Sequence, residues 1–194
     1  MDSNPFATRF VRPGAIKFLF LDGDSAERII DRLRNQNWCG QIIGPHGSGK
    51  STLLATLTPL LQDAGRFVLS FKVGPGERRL RPLDSGAITT STQIIIDGYE
   101  QLSWWAKWKV RGMVAKARAG LLVTAHTNVN LPTLYETKPS AEVMSAVVTQ
   151  LAPNALPVVT SDEIANAYRE AGGNMRETLF KLFDVYRQRQ GNST

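Results

Sequence analysis

The sequence predicts an α/β fold: a mostly parallel sheet of about five strands, covered by helices on both faces and followed by a small C-terminal helical lid. Three observations predict it. Short apolar runs alternate with stretches of helical periodicity between residues 37 and 139. One of these runs, WCGQIIG, passes directly into a glycine-rich segment and then into a helical stretch, the local order strand, tight loop, helix. From Ser140 onward the pattern is helical only. A length of 194 residues with 42% apolar composition allows one complete α/β unit and a small appendage. The expected division is an N-terminal extension over 1–36, a core over 37–139 and a lid over 140–194.

After an irregular start, AIKFLF (15–20) reads as a short strand. SAERIIDRLRNQ (25–36) then sets Ile29, Ile30 and Leu33 at helical spacing, with Ser25 as the cap. WCGQIIG is a buried strand, and KSTLLATLTPLLQDAG a helix ending near Gly65. RFVLSFKV (66–73) is the next strand; it leads into GPGERRLRPLDSGAITT, an irregular segment of a length that compact domains keep for function or regulation. STQIIIDG (91–98) is a strand ending in an acid, Tyr99 to about Ala119 a long helix, GLLVTAHT (120–127) a strand, and LPTLYETKP (131–139) the last strand. In the lid, Val143, Met144, Val147, Val148 and Leu151 form one apolar stripe. Thr160 with Glu163 forms a capping box for a second helix, and Asn174 caps a third whose stripe includes Met175, Leu179, Leu182, Phe183 and Tyr186.

Composition narrows the function classes. Cys39 is the sole cysteine, so neither an intrachain disulfide nor a cysteine-based zinc cluster can form, and a reducing cytoplasm is the expected setting. The N-terminus lacks the apolar core of a secretory signal, and no run approaches the ~18 apolar residues that span a bilayer, so a soluble protein is expected. The net charge of +6 favours acidic partners, nucleic acid among them. The basic residues are nevertheless scattered, with local groups at Arg78, Arg79 and Arg81 and at Lys107, Lys109 and Arg111, and nucleic-acid binding is not favoured. Trp104, Trp105 and Trp108 with their lysines suit a membrane surface or stacked bases; the simpler expectation is a sheet-covering helix with buried aromatics.

The segment Gly44-Pro45-His46-Gly47-Ser48-Gly49-Lys50-Ser51 matches G-x-x-x-x-G-K-[ST] at every defined position. Glycines let the backbone curl so that successive N–H groups point inward at phosphate oxygens, and the following helix adds its positive end. Lys50 is placed to reach the β- and γ-phosphates, the Ser51 hydroxyl to coordinate Mg²⁺, and Thr52 to support the α-phosphate. The candidate nucleotide-binding set is therefore Gly44 through Thr52; the His46 side chain, in the variable part of the loop, is expected to face solvent. About 45 residues on, Ile94-Ile95-Ile96-Asp97 is an apolar strand ending in a carboxylate, the hard oxygen donor that Mg²⁺ prefers.

The order of phosphate loop, intervening strand, IIID and LLVTAHT resembles the ATPase division of P-loop NTPases that includes AAA+ and ABC proteins, over most of the chain. The resemblance implies a three-layer sandwich, ATP with Mg²⁺ as ligand, and Lys50 and Asp97 as central residues. In AAA+ relatives a glutamate commonly follows the Walker B aspartate and polarises the attacking water; here that position is Gly98, a departure bearing on hydrolysis. Glu100 is the nearest replacement base, Glu77 a second candidate, and Glu100 also suits the start of the next helix. The resemblance further implies a polar sensor of the γ-phosphate among Thr124, His126, Thr127 and Asn128. Gly172-Gly173-Asn174-Met175-Arg176-Glu177 is similar to the start of the last lid helix in the origin-recognition and transposition-helper branches of AAA+ proteins, where an arginine reaches back to the nucleotide; Arg176 is the corresponding candidate.

The leading expectation is an ATPase or ATP-driven switch. A nucleotide-binding regulatory module with little hydrolysis is its rival because of Gly98, and a P-loop small-molecule kinase ranks third, since helices rather than an arginine-rich closing segment follow the last strand. No LSGGQ-like signature separates the two Walker segments, which weakens an ABC reading, and no N/T-K-x-D motif indicates GTP. AAA+ resemblance implies assembly into a homo-oligomer; the macromolecule acted on is not legible.

Overall fold

The computed structural model of the chain describes residues 4–20, 23–80, 88–151 and 159–191. In chain order the helices are α1 (Thr8–Val11), α2 (Ala26–Asn35), α3 (Lys50–Asp63), α4 (Trp104–Ala117), α5 (Ala141–Leu151), α6 (Ser161–Glu170) and α7 (Met175–Gly191). The strands are β1 (Cys39–Ile43), β2 (Phe67–Lys72), β3 (Thr92–Asp97), β4 (Gly120–Ala125) and β5 (Thr133–Glu136), with a 3₁₀ turn at Tyr99–Gln101. The chain divides into two compact units, one of Asp24–Gly44 and Thr56–Thr137, the other of Met1–Gly23, Pro45–Ala55 and Lys138–Thr194.

The first unit contains the sheet, ordered β2-β3-β4-β1-β5 with every neighbouring pair parallel. Ile42 stands opposite Thr124 and Val123 opposite Ile96, while the β1–β5 register shifts between Gln41 and Ile42. Residues 92–96 of β3 and all of β4 are buried without alternation, as the interior strands of a parallel sheet must be when both faces are covered. The mostly parallel α/β class expected from the sequence is thus the observed one, and the last expected strand is β5.

Local chemistry sets the helix ends. The Ser25 hydroxyl accepts from the Arg28 N–H at 3.3 Å and caps α2, which buries Ile29, Ile30 and Leu33. Beyond α2, Trp38 lies between the guanidinium groups of Arg34 and Arg66, 5.6 and 4.6 Å from its ring. Arg66 also donates to the carbonyls of Thr90 and Thr92, both at 2.7 Å, tying the approach to β2 to the start of β3. At the start of β1, burial pushes the Cys39 thiol above its ordinary range and keeps it protonated. Helix α3 ends in a Schellman arrangement: Gly65 N–H donates to Gln62 O and Arg66 N–H to Leu61 O, with Gly65 at φ +78°.

Helix α4 corrects one expectation. Its Val110 and Val114 are buried against Ile94, Ile96, Leu121 and Val123, a contribution of about 1.5–3 kcal/mol for each valine. Trp104, Trp105 and Trp108 lie on the opposite side and are 67%, 68% and 63% exposed rather than buried. One side of a helix faces the sheet, and the residues spaced at 106, 110 and 114 already occupy it. The helix expected from Tyr99 also starts later, at Trp104, because Gly98 is left-handed and the Ser103 hydroxyl caps at Ala106 N–H.

The second unit packs α5, α6 and α7 around Met144, Val148, Ile164, Leu179, Leu182 and Tyr186. The three lid helices, the Met144/Val148 stripe and the capping box at Thr160 all follow the sequence pattern; Thr160 N–H donates to Glu163 Oε2 at 2.8 Å. The N-terminal segment is fastened to α7: Asn4 Nδ2 donates to Phe183 O at 2.9 Å, and Phe6 meets Tyr186 edge-on at 6.0 Å. Arg189 pairs with Glu163 and Lys181 with Glu170, holding both carboxyls below their ordinary value of 4.5. AIKFLF forms no strand, contrary to expectation; an isolated bridge joins Pro13 and Ile16, and Phe18 and Phe20 pack ring to ring at 4.9 Å instead of entering a ladder. Among the described residues no helix is long and apolar enough to cross a membrane.

Candidate functional site

At the C-terminal edge of the sheet, the connection out of β1 leads toward the β2 edge and the one out of β4 toward the β5 edge. The ends of β1 and β4 therefore flank a switch in strand order, where open α/β sheets bind ligands. Gly44, the first residue beyond β1, donates its N–H to Ala125 O at the end of β4, at 3.2 Å. The glycine-rich loop departs from that point.

The loop and the first turn of α3 belong to the helical unit. Gly47 is left-handed at φ +71°, and a Cβ there would stand 2.0 Å from Asn174 Oδ1. A Cβ on Gly49 would stand 3.3 Å from the Phe18 ring. A side chain at Gly47 would displace Asn174, and both glycines, at φ +71° and +93°, take a backbone conformation that other residues rarely adopt. Lys50 opens α3; its side chain is buried and its ammonium curls back over the loop, donating to Pro45 O at 2.6 Å. Ser48 is buried, Ser51 and Thr52 are half-buried in the first turn, and Pro45 and His46 are exposed, as expected for His46.

Asn174, expected only as a helix cap, fills that role and also lies against the loop. Its Oδ1 accepts from the N–H groups of Arg176 and Glu177 at 3.1 and 3.3 Å, and the same oxygen faces Gly47. The Gly172-Gly173 pair ahead of it was a signal that the chain turns sharply here, but nothing local could show what the turn meets. Arg176, next to this contact along the chain, is exposed.

In the sheet unit, Asp97 ends β3, and the Thr124 hydroxyl donates to its Oδ1 at 2.6 Å while accepting the Gly98 N–H at 2.9 Å. Thr124 thus fixes both the carboxylate and the backbone beyond it. Gly98 sits at φ +88°, and a Cβ would lie 2.4 Å from Val73 O. Two residues on, Glu100 Oε1 is 3.4 Å from His126 Nε2, and Oε2 is buried with no hydrogen-bond partner. Lys107 Nζ donates to the Glu100 carbonyl at 3.2 Å and anchors this turn.

The four polar residues among which one sensor was expected have different surroundings. Thr124 serves Asp97, His126 meets Glu100, and Thr127 is exposed. Asn128 joins a network centred on the buried Gln41: Gln41 Nε2 donates to Asn128 Oδ1 at 3.0 Å and Thr133 Oγ1 at 2.8 Å, and its Oε1 accepts from Val129 N–H at 2.9 Å. Sequence reading passed over Gln41 because a lone polar residue in an apolar strand carries no motif. Glu77, the second candidate base, uses its Oε2 to accept the Gly74 N–H at 2.9 Å within its own loop. Arg78 and Arg79 are exposed, and Arg81 lies outside the described residues.

Among the described residues no group of three or more His, Cys, Asp or Glu side chains could hold a metal on its own. An oriented carboxylate such as Asp97 is the hard oxygen donor that Mg²⁺ prefers.

No protein-family model and no curated protein sequence matches the chain. Solved structures do. Over 92% of its length the chain is similar to Saccharomyces cerevisiae Hsp104 in its ADP complex, with a TM-score of 0.58 and 13% identity. The likeness is one of fold: a mostly parallel five-stranded α/β sheet of P-loop NTPase layout with a helical C-terminal part. The extended Hsp104:casein complex from the same organism is similar over the same share, with a TM-score of 0.53 and 12% identity. The chain spans 32% and 39% of those two Hsp104 chains, so it corresponds to a part of each.

Proposed function

We propose that the chain binds Mg·ATP and converts the state of its γ-phosphate into a change in the helical lid, hydrolysing ATP in the cycle. The observation that carries this reading is the Asp97–Thr124–Gly98 arrangement at the sheet edge from which a full G-x-x-x-x-G-K-[ST] loop departs. In this reading Gly44 through Thr52 cradle the phosphates, with the Lys50 ammonium exchanging the Pro45 carbonyl for phosphate oxygens. Ser51 and Asp97 hold Mg²⁺, which neutralises charge on the β- and γ-phosphates when bound. Glu100 acts as general base toward water, with His126 positioning it; its buried, unpartnered Oε2 is the oxygen available for that water. Arg176, on the helix whose cap touches Gly47, reports phosphate to the lid.

In the same reading residues 37–139 are the nucleotide core, 140–194 the lid and 1–36 an extension on the core. Copies of the chain assemble in the cytoplasm and act on a macromolecular client. A second reading, a nucleotide-responsive module with little hydrolysis, is favoured by one observation: the backbone at Gly98 excludes the side chain that AAA+ relatives place there. One experiment separates the two. Mg·ATP binding by calorimetry and phosphate release are measured for wild type, Lys50→Ala and Glu100→Gln, each checked for folding. The ATPase reading expects binding lost in Lys50→Ala, and binding kept with turnover reduced about 10²–10⁴-fold in Glu100→Gln. Binding without turnover in wild type would select the module, and no binding by folded wild type would overturn both.

A further inference from the structure

The outward side of α4 is chemically unlike the surface around a nucleotide. Trp104, Trp105 and Trp108 are each about two-thirds exposed, so they project from the helix rather than line a cleft. Three adjacent projecting indoles form an apolar patch of a kind that marks an interaction site. The charge around them has one sign: the helix carries Lys107, Lys109, Arg111 and Lys116 and no acidic residue. Lys107 and Arg111 are engaged within the unit, with the Glu100 carbonyl and with Tyr99 and Val129, which leaves Lys109 and Lys116 as the exposed cations of the helix. The exposed Arg78 lies at the same helix end, its carbonyl accepting the Ser103 N–H at 3.1 Å.

We propose that this face docks on an anionic lipid surface, with the three indoles in the headgroup layer and Lys109, Lys116 and Arg78 against lipid phosphates and carboxylates. Charge and ring geometry select this occupant. A helix face whose charges are all cationic repels a second copy of itself and attracts an anionic surface, and indoles flanked by lysines are the side chains that settle at bilayer interfaces. Nucleic acid fits less well. Trp104 and Trp105 meet at 4.7 Å and 71°, Trp105 and Trp108 at 6.0 Å and 87°. With the rings edge-to-face, no pair of them can hold a base between them, which leaves only stacking on one ring face at a time. Edge-to-face rings instead make a compact apolar knob. The opposite stripe of α4 is anchored in the sheet unit through Val110 and Val114, so the face is presented without unfolding.

The test is co-sedimentation of the full chain with phosphatidylcholine vesicles, with and without about one third phosphatidylserine, together with tryptophan emission. Wild type is expected to sediment with the anionic vesicles and to shift its emission to the blue, above a constant background from the half-buried Trp38. The triple change Trp104→Ser, Trp105→Ser and Trp108→Ser, on exposed positions, is expected to cut binding by about tenfold or more. The pair Lys109→Ser and Lys116→Ser is expected to cut it about fivefold per lysine, on anionic vesicles only. Folded wild type that stays in the supernatant with anionic vesicles would overturn the proposal. Indole quenching by an oligothymidylate with inert vesicles would reassign the face to nucleic acid, and self-association abolished by the triple change without lipid would reassign it to a contact between copies; either result overturns docking on lipid.

Discussion

Between Asp97 and the turn at Tyr99–Gln101 the backbone passes through Gly98, whose missing side chain would meet the Val73 carbonyl. Placing a glutamate here would therefore not give it the geometry of a residue that follows a strand-end aspartate without strain. Gly98→Glu is expected to cost about 1–3 kcal/mol from the left-handed backbone alone, with the displacement of Val73 in addition. A lowered melting temperature with no rise in phosphate release is the outcome to look for; a rise would show that the backbone relaxes and that Glu100 is not needed. Thr124 is the complementary case, because one hydroxyl serves two partners. Thr124→Val keeps the shape, leaves the Gly98 N–H unpaired at a cost of about 1–3 kcal/mol, and releases Asp97. Calorimetric titrations at several Mg²⁺ concentrations should show ATP binding that needs more Mg²⁺ than wild type; unchanged Mg²⁺ dependence would remove Asp97 from the metal.

At the scale of elements, α4 ends on Arg118 at φ +50°, where the Ala119 N–H returns to Val114 O. This is the position at which helices favour glycine, and an exposed arginine bears the left-handed strain. Arg118→Gly is expected to stabilise the fold by up to about 1 kcal/mol in denaturant unfolding. Such endings were legible because they depend on a few consecutive residues. The Thr160–Glu163 box, the Ser25 cap and the glycine stop of α3 were readable for the same reason. Helix α4 was not, since valines on one stripe and tryptophans on the other give apolar signals to both sides, and period alone does not say which faces the sheet. AIKFLF alternates like a strand, but a strand exists only when another pairs with it. The contact of Asn174 with Gly47 and the Gln41 network join residues far apart in sequence, and neither leaves a local mark.

At the scale of the whole molecule, acid acts on the helical unit through its ion pairs. In the helical unit Arg189 and Lys181 hold Glu163 and Glu170 below 4.5, their ordinary value in an unfolded chain. The stability they add is present above that value and is lost as pH falls through the lower, folded one. Melting followed by circular dichroism should show this unit weakening below pH 4.5, with a shallower acid slope in Arg189→Gln; an equal slope would mean the pair adds nothing. The sheet unit sets a different kind of limit. Strand β1 has no pairing with β2, the strand that follows it; its neighbours are β4 and β5, about eighty to ninety residues downstream. During synthesis β1 and the loop it feeds must wait, without backbone partners, until β4 and β5 have left the ribosome. Closing so long a separation is slow even when β2, β3 and β4 have already paired with one another. The glycine-rich loop that follows β1 is therefore among the last parts of the sheet's C-terminal edge to acquire its shape.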